Sequence, residues 1–267
     1  MNKNKLTARR FSFLVLSILV AAFLSACGAA ASNNTPNKAA NTPAPGSVIQ
    51  PNAPAGANPP AMLGSPTATV TLEEFADFQC PSCGEKHPVL KKIQEMYSSR
   101  IKFIFRNYPL PMHDKAYDAA VAAEAAGLQG KFWDMHNQLY TNQKTWSADP
   151  NYKQTFADYA QKIGLDVEKF KTDMAGLQAK NMVDEDLKRG RFITINQTPT
   201  LFINGKAVPY PQMTVDGLKQ LIDAEFDAVG GAARPAAAND AGANAGNAPA
   251  NASNAPANTA KTNTAQK

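Results

Sequence analysis

The sequence predicts one α/β domain with a helical subdomain inserted into it, and three observations carry that reading. Between about residues 67 and 108 a β-like run, a Cys-Pro-Ser-Cys motif, an amphipathic helix and a second β-like run follow one another. Helical patterns then fill about 112–192. A short strand, an Asn-Gly turn and a partner strand follow before a last helix.

The elements take their places from local pattern. Residues 67–78 are rich in β-branched and aromatic side chains (Thr69, Val70, Thr71, Leu72, Phe75, Phe78) and read as a largely buried strand. Residues 85–99 carry Val89, Leu90, Ile93 and Met96 at helical spacing, with Pro88 expected to kink the helix. Residues 101–108 read as the next strand, which completes a βαβ unit. Helices are expected over 116–127, 132–140, 152–163, 167–174 and 182–192, with Asp114 as a candidate N-cap of the first. Phe132, Trp133 and Met135 fit helix packing. Strands at 200–203 and 206–208 flank Asn204-Gly205, and 215–229 closes as a helix.

Composition limits the folded part of the 267 residues. Residues 1–26 read as a signal peptide: Lys3, Lys5, Arg9 and Arg10 form a basic start, and an apolar run from Phe11 to Leu24 ends in Leu24-Ser25-Ala26-Cys27-Gly28. That ending resembles a bacterial lipobox. Cleavage before Cys27 would leave it lipidated and the chain anchored to an extracytoplasmic membrane surface, periplasmic or on the cell-surface face. An ordinary signal peptide with a chance cysteine is the alternative. Residues 27–62 and 231–267 are rich in Ala, Asn and Pro, bury too little apolar surface to offset ordering, and are expected to be a disordered linker and tail. The domain is therefore expected at 63–230. The signal segment holds four of the 27 Lys and Arg and none of the 22 acids, so the mature chain is close to neutral and nucleic-acid binding finds no support.

The chemistry rests on cysteine. With Cys27 lipidated, only Cys80 and Cys83 remain, two residues apart. Export implies an oxidising compartment in which their disulfide persists. A bridge closing so short a loop constrains little of the unfolded chain. A C-x-x-C beside a βαβ pattern reads as a thioredoxin-like redox motif. Strand-to-helix placement puts Cys80 at a helix N-terminus, where unpaired N–H groups and the helix dipole favour a thiolate. Pro81 suits the first helical turn. An inert disulfide is one rival reading. Half a metal site is another, but it lacks two further ligands: His87, His113 and His136 are not at ligand spacing.

Phe75-Ala76-Asp77-Phe78-Gln79-Cys80-Pro81-Ser82-Cys83, followed by Pro88, resembles the DsbA-like branch of the thioredoxin superfamily, and Thr198-Pro199-Thr200-Leu201-Phe202-Ile203-Asn204-Gly205 resembles that branch's second signature. The resemblance spans about 62–230 and implies a thioredoxin-like core with a helical insertion. It implies that Cys80 attacks and forms mixed disulfides and that Cys83 resolves them. Pro199 takes the place of the cis-proline packed against the pair, with Thr198 before it and Pro81 and Ser82 lining the substrate contact. Glu74 takes the place of the buried acid that exchanges protons with the inner cysteine. Glu73 and Asp77 are its rivals, and strand alternation places Glu73 and Glu74 on opposite faces, so that at most one of the two is expected to be buried at that position. His87 is expected to be a surface or capping group, and His113 a candidate neighbour of the substrate surface.

The function implied is a monomeric thiol:disulfide oxidoreductase that introduces disulfides into exported polypeptides. It needs no organic cofactor or metal, and is reoxidised by a quinone-linked membrane partner, DsbB-like or vitamin-K-epoxide-reductase-like. The Pro81-Ser82 pair departs from the Pro-His of familiar DsbA proteins, which leaves a reductase or isomerase open. A non-catalytic metallochaperone or binding module is the remaining alternative.

Overall fold

The computed structural model describes residues 47–230. The expected signal peptide, Cys27, the linker as far as residue 46 and the C-terminal tail lie outside the described residues.

Five strands make one sheet in the order β1-β3-β2-β4-β5: β1 (Ala61–Gly64), β2 (Val70–Ala76), β3 (Ile101–Asn107), β4 (Thr200–Ile203) and β5 (Lys206–Ala207). β2 and β3 run parallel, with Val70 opposite Ile101 and Ala76 opposite Asn107. A parallel pair needs a crossover, which α1 (Pro81–Tyr97) supplies. All other pairings are antiparallel. β2 is the central strand, and six of its seven residues are buried because both faces of the sheet are covered.

Between β3 and β4 the chain forms the helical insertion: α2 (Ala116–Gly127), α3 (Phe132–Thr141), α4 (Gln143–Ala148), α5 (Tyr152–Lys162), α6 (Val167–Ala175) and α7 (Leu177–Phe192). α2 runs through its middle, and Ala119, Ala120, Ala122, Ala123, Ala125 and Ala126 are all buried. Their small side chains let α3, α6 and α7 approach it closely. α8 (Val215–Ala228) returns to pack beside α1, where the Tyr97 hydroxyl donates to Asp223 Oδ1 at 2.7 Å. α7 covers the opposite face at Gly190, where a Cβ would lie 2.4 Å from the Tyr108 ring.

Helix α1 begins at Pro81, as the placement of Cys80 at a helix N-terminus implies, eight residues before its apolar periodicity starts at Val89, and Pro88 lies inside it. Two sequence expectations change. The short helix α4 was not expected, since six residues carry too little pattern to stand out. The domain also begins earlier than 63. Val48 bridges to Lys206, and Ala207 N donates to Ser47 O at 2.9 Å. Ala57 is buried, with its N–H on Asp186 Oδ1 at 2.8 Å. Backbone hydrogen bonds and one buried charge cluster hold this stretch, which a count of apolar side chains does not reveal.

That cluster centres on Arg106. Its guanidinium donates to Glu73 Oε1 (2.8 Å), Asp186 Oδ1 (3.0 Å) and Ala57 O (3.1 Å). Arg189 adds a two-point contact to Glu73 and donates to Pro54 O. Asp186 also receives the Asn107 N–H at 3.0 Å. Removing one partner from such a group leaves another charge buried and unmatched. Asp186→Ala is expected to lower stability by about 3–5 kcal/mol, measured by urea denaturation, and to expose residues 47–57 to limited proteolysis well before the sheet is cut.

Candidate active site

The site forms where β2 ends and α1 begins. Cys80 occupies the N-cap of α1 with no side-chain cap of its own, and Pro81 takes the first helical position. Cys80 O accepts the Cys83 and Gly84 N–H groups at 3.1 and 3.2 Å, which places the second thiol one turn in. Both thiols are unbridged, so this is the dithiol form. Cys83 is sealed at 1% exposure and Cys80 retains 7%.

Opposite the pair, the Thr198–Pro199 bond is cis. The Cys80 Sγ lies 3.3 Å from Thr198 O. The buried Thr198 hydroxyl lies beside the same sulfur and favours its thiolate. Thr198, Pro199, Pro81 and Ser82 therefore belong to one neighbourhood around Cys80.

The two sulfurs are driven apart in acidity. A hydrogen bond from the Cys83 thiol, helped by the Thr198 hydroxyl and the backbone N–H groups of Cys83 and Ser82, outweighs burial and brings Cys80 from 9.0 down to about 6. Burial, then the hydrogen bond to Cys80 and its charge, push the Cys83 thiol well above its ordinary range. Near neutral pH the balance at Cys80 therefore leans to the thiolate, while Cys83 holds its proton.

Glu73 and Glu74 point to opposite faces of β2, yet both are buried, at 5% and 3% exposure. Only Glu74 is buried on the Cys83 side; Glu73 is buried on the other face because helices cover both faces of this strand. Their environments differ. Glu73 is neutralised by Arg106 and Arg189, and these partners together outweigh its burial and hold its carboxyl below the ordinary range. Glu74 has no such partner, and burial alone lifts its carboxyl to about 8. It faces the Cys83 side, where its charge raises the Cys83 thiol further.

Asp77, the other rival acid, is buried and fully committed to holding the turn. It accepts from Gln79 N (2.7 Å) and Leu110 N (2.8 Å) and meets His113 Nδ1 at 2.6 Å. His113 is thus bound to the turn from behind. Asp114 does not cap α2, whose N-cap is Lys115; it accepts from Gln79 Nε2 at 2.9 Å. His87 is not a surface cap either. It stacks on Tyr140 with 5.0 Å between centroids and meets His136 edge-on, and burial lowers its pKa to about 4. Sequence reasoning missed Gln143, whose side chain reaches from α4 to the carbonyls of Phe78 and Cys80. Nothing in its local sequence marks it.

Beside Pro81 a cleft of about 570 Å³ opens between α1 and α4, lined by Gln79, Pro81, Glu85, Tyr140, Gln143 and Lys144 among others. A larger cleft of about 900 Å³, between residues 56–62 and the start of α7, holds neither thiol. Among the described residues no group of three or more His, Cys, Asp or Glu is placed to hold a metal, and no helix is long and apolar enough to cross a membrane.

A family model described as thioredoxin matches residues 57–224. The chain belongs to the thioredoxin family. Within it the likeness is to DsbA-type proteins. The crystal structure of oxidised BdbD from Bacillus subtilis superposes with a TM-score of 0.57 at 26% identity, covering 66% of this chain and 98% of that one. A Bacillus cereus protein named probable disulfide bond formation protein D is 30% identical over 173 residues, 61% of this chain and 77% of its own. The Na(+)/H(+) antiporter NhaA 1 of Mycolicibacterium gilvum is 36% identical over 146 residues. That match takes in 54% of this chain but only 23% of the antiporter, so the chain spans under a quarter of that protein's length.

The Glu74 carboxyl gives a pH signature. It titrates near 8 when folded and near 4.5 when exposed, so across that window the folded protein keeps a proton that the unfolded chain releases. Stability therefore falls as pH rises from 4.5 to 8. Glu74→Gln removes this loss: in urea melts of the dithiol form its advantage over the wild type should vanish near pH 4.5 and be greatest near pH 8.

Proposed function

We propose that the protein is an exported, membrane-anchored disulfide donor. Its oxidised form carries a Cys80–Cys83 bridge. A substrate thiolate attacks the Cys80 sulfur, and the S–S bond breaks with Cys83 as leaving group. Glu74, protonated at neutral pH, gives its proton to the departing Cys83 sulfur. A second substrate thiolate then attacks the substrate sulfur of the mixed disulfide and releases Cys80 as thiolate. The substrate loses two electrons and the protein gains them. A quinone-linked membrane partner, DsbB-like or vitamin-K-epoxide-reductase-like, removes the two electrons and restores the bridge.

The observation that carries the direction is the stabilised Cys80 thiolate. Contacts that hold the anion favour the dithiol over the disulfide, which makes the bridge oxidising and Cys80 a good leaving group in the second step. The cis Thr198–Pro199 segment beside Cys80 offers backbone groups along which an extended polypeptide can lie. Reduced exported polypeptides are the substrates on this reading, the working unit is a monomer, and the lipid on Cys27 supplies the anchor. No organic cofactor or metal takes part.

The deciding experiment is the equilibrium potential of the pair in glutathione buffers, with oxidation of a reduced, unfolded test protein as the activity. A potential above about −200 mV together with oxidase activity is expected. A potential near or below about −250 mV would make the protein a reductase and reverse the direction. Cys80→Ser should abolish turnover, whereas Cys83→Ser should trap mixed disulfides, seen as substrate adducts on a non-reducing gel.

A further inference from the structure

From α4 a buried amide reaches the redox turn. Gln143 is the first residue of α4 and is 9% exposed. Its Nε2 donates to Phe78 O at 2.7 Å and Cys80 O at 2.8 Å. These two carbonyls bracket the turn that presents Cys80. Its Oε1 rests against Gly84, where a Cβ would lie only 2.5 Å away. Both ends of the amide are therefore engaged, one on the turn and one against the first turn of α1.

We propose that Gln143 is a positioning residue for thiol–disulfide exchange: its amide fixes the Phe78 and Cys80 carbonyls, and so sets how well the start of α1 stabilises the Cys80 thiolate. This rests on Cys80 being the reactive thiol of the pair.

The argument is electrostatic and geometric. The N–H groups of Ser82 and Cys83 reach the Cys80 sulfur only while the chain from Phe78 to Gly84 keeps its course. Carbonyl oxygens are the negative ends of peptide dipoles, and those of Phe78 and Cys80 lie in the same turn as the sulfur. A donor on each draws negative potential away from the anion and fixes the tilt of the peptide planes. Cys80 O has the Cys83 and Gly84 N–H groups besides, whereas Gln143 is the donor recorded on Phe78 O. Without the amide, Phe78 O is left short of a donor and the turn loses its tie to α4. The contact also crosses between parts of the fold, because Gln143 belongs to the insertion and Cys80 to the thioredoxin core. Movement of α4 is then felt at the sulfur, at the edge of the cleft beside Pro81.

Two substitutions test this from opposite sides. Gln143→Leu keeps most of the volume and removes the donor. Gly84→Ala leaves the amide intact and pushes it from its seat. In the full chain, Cys80 is titrated by thiolate absorbance near 240 nm and by its rate of alkylation against pH, with urea midpoints recorded alongside. Both variants are expected to raise the Cys80 titration midpoint by about half a unit or more, and the double variant by less than the sum of the two. Unchanged midpoints in the variants that fold, even with stability lost, would overturn the inference and leave Gln143 a packing residue. If Gln143→Leu does not fold, Gly84→Ala decides alone. The wild-type curve separates the two levels of the argument: an ordinary Cys80 midpoint near 9 would sink the reading of Cys80 itself, whereas a low wild-type midpoint with unmoved variants would sink only the role of Gln143.

Discussion

The Cys80 sulfur sits where the Cys83 thiol, the Thr198 hydroxyl and the first N–H groups of α1 converge, and much of the molecule serves to keep that convergence in place. An anion at a helix N-terminus is favoured only while the donors point at it and water does not compete. β2 delivers the turn from the centre of the sheet, Asp77 secures it from behind, and the cis Thr198–Pro199 segment closes it in front. The covalent chemistry is simple, so the protein's contribution is the unequal acidity of two sulfurs one helical turn apart.

The neighbouring acids of β2 show how environment, not residue type, assigns roles. Glu73 and Glu74 are adjacent, buried to a similar degree and chemically identical. Two guanidiniums meet Glu73 and turn it into a structural anion that helps hold residues 54–57 to the domain. No cation meets Glu74, so burial alone lifts its carboxyl to about 8, on the Cys83 side of the strand. Strand alternation, the simplest property of a β-strand, separates an ion-paired fastener from an unpaired acid.

Much of this was legible in the sequence, and what was not has physical causes. The βαβ start, the Cys-Pro-Ser-Cys motif and the Thr-Pro signature are local patterns whose geometry follows from a few adjacent residues. The start of α1 at Pro81 is marked by the motif itself and not by the apolar rhythm, which begins only at Val89. Residues 47–62 read as a linker because they are Pro- and Ala-rich, yet they dock through backbone groups and the Asp186 carboxylate, which leave no mark in composition. Burial of both acids of β2 depends on how the insertion folds over the sheet. Gln143 is the clearest case: a glutamine in a six-residue helix gains its significance from a turn sixty residues earlier.

The docking of residues 47–49 along β5 has a consequence for company rather than for chemistry. β5 is a two-residue strand at the end of the sheet, and such an edge invites other chains to add themselves strand by strand. Ser47 and Ile49 take up backbone groups of Ala207 and Gly205 there. One margin of the sheet is thereby closed to other chains, and polymerisation through that margin first requires the strap at residues 47–49 to be peeled away.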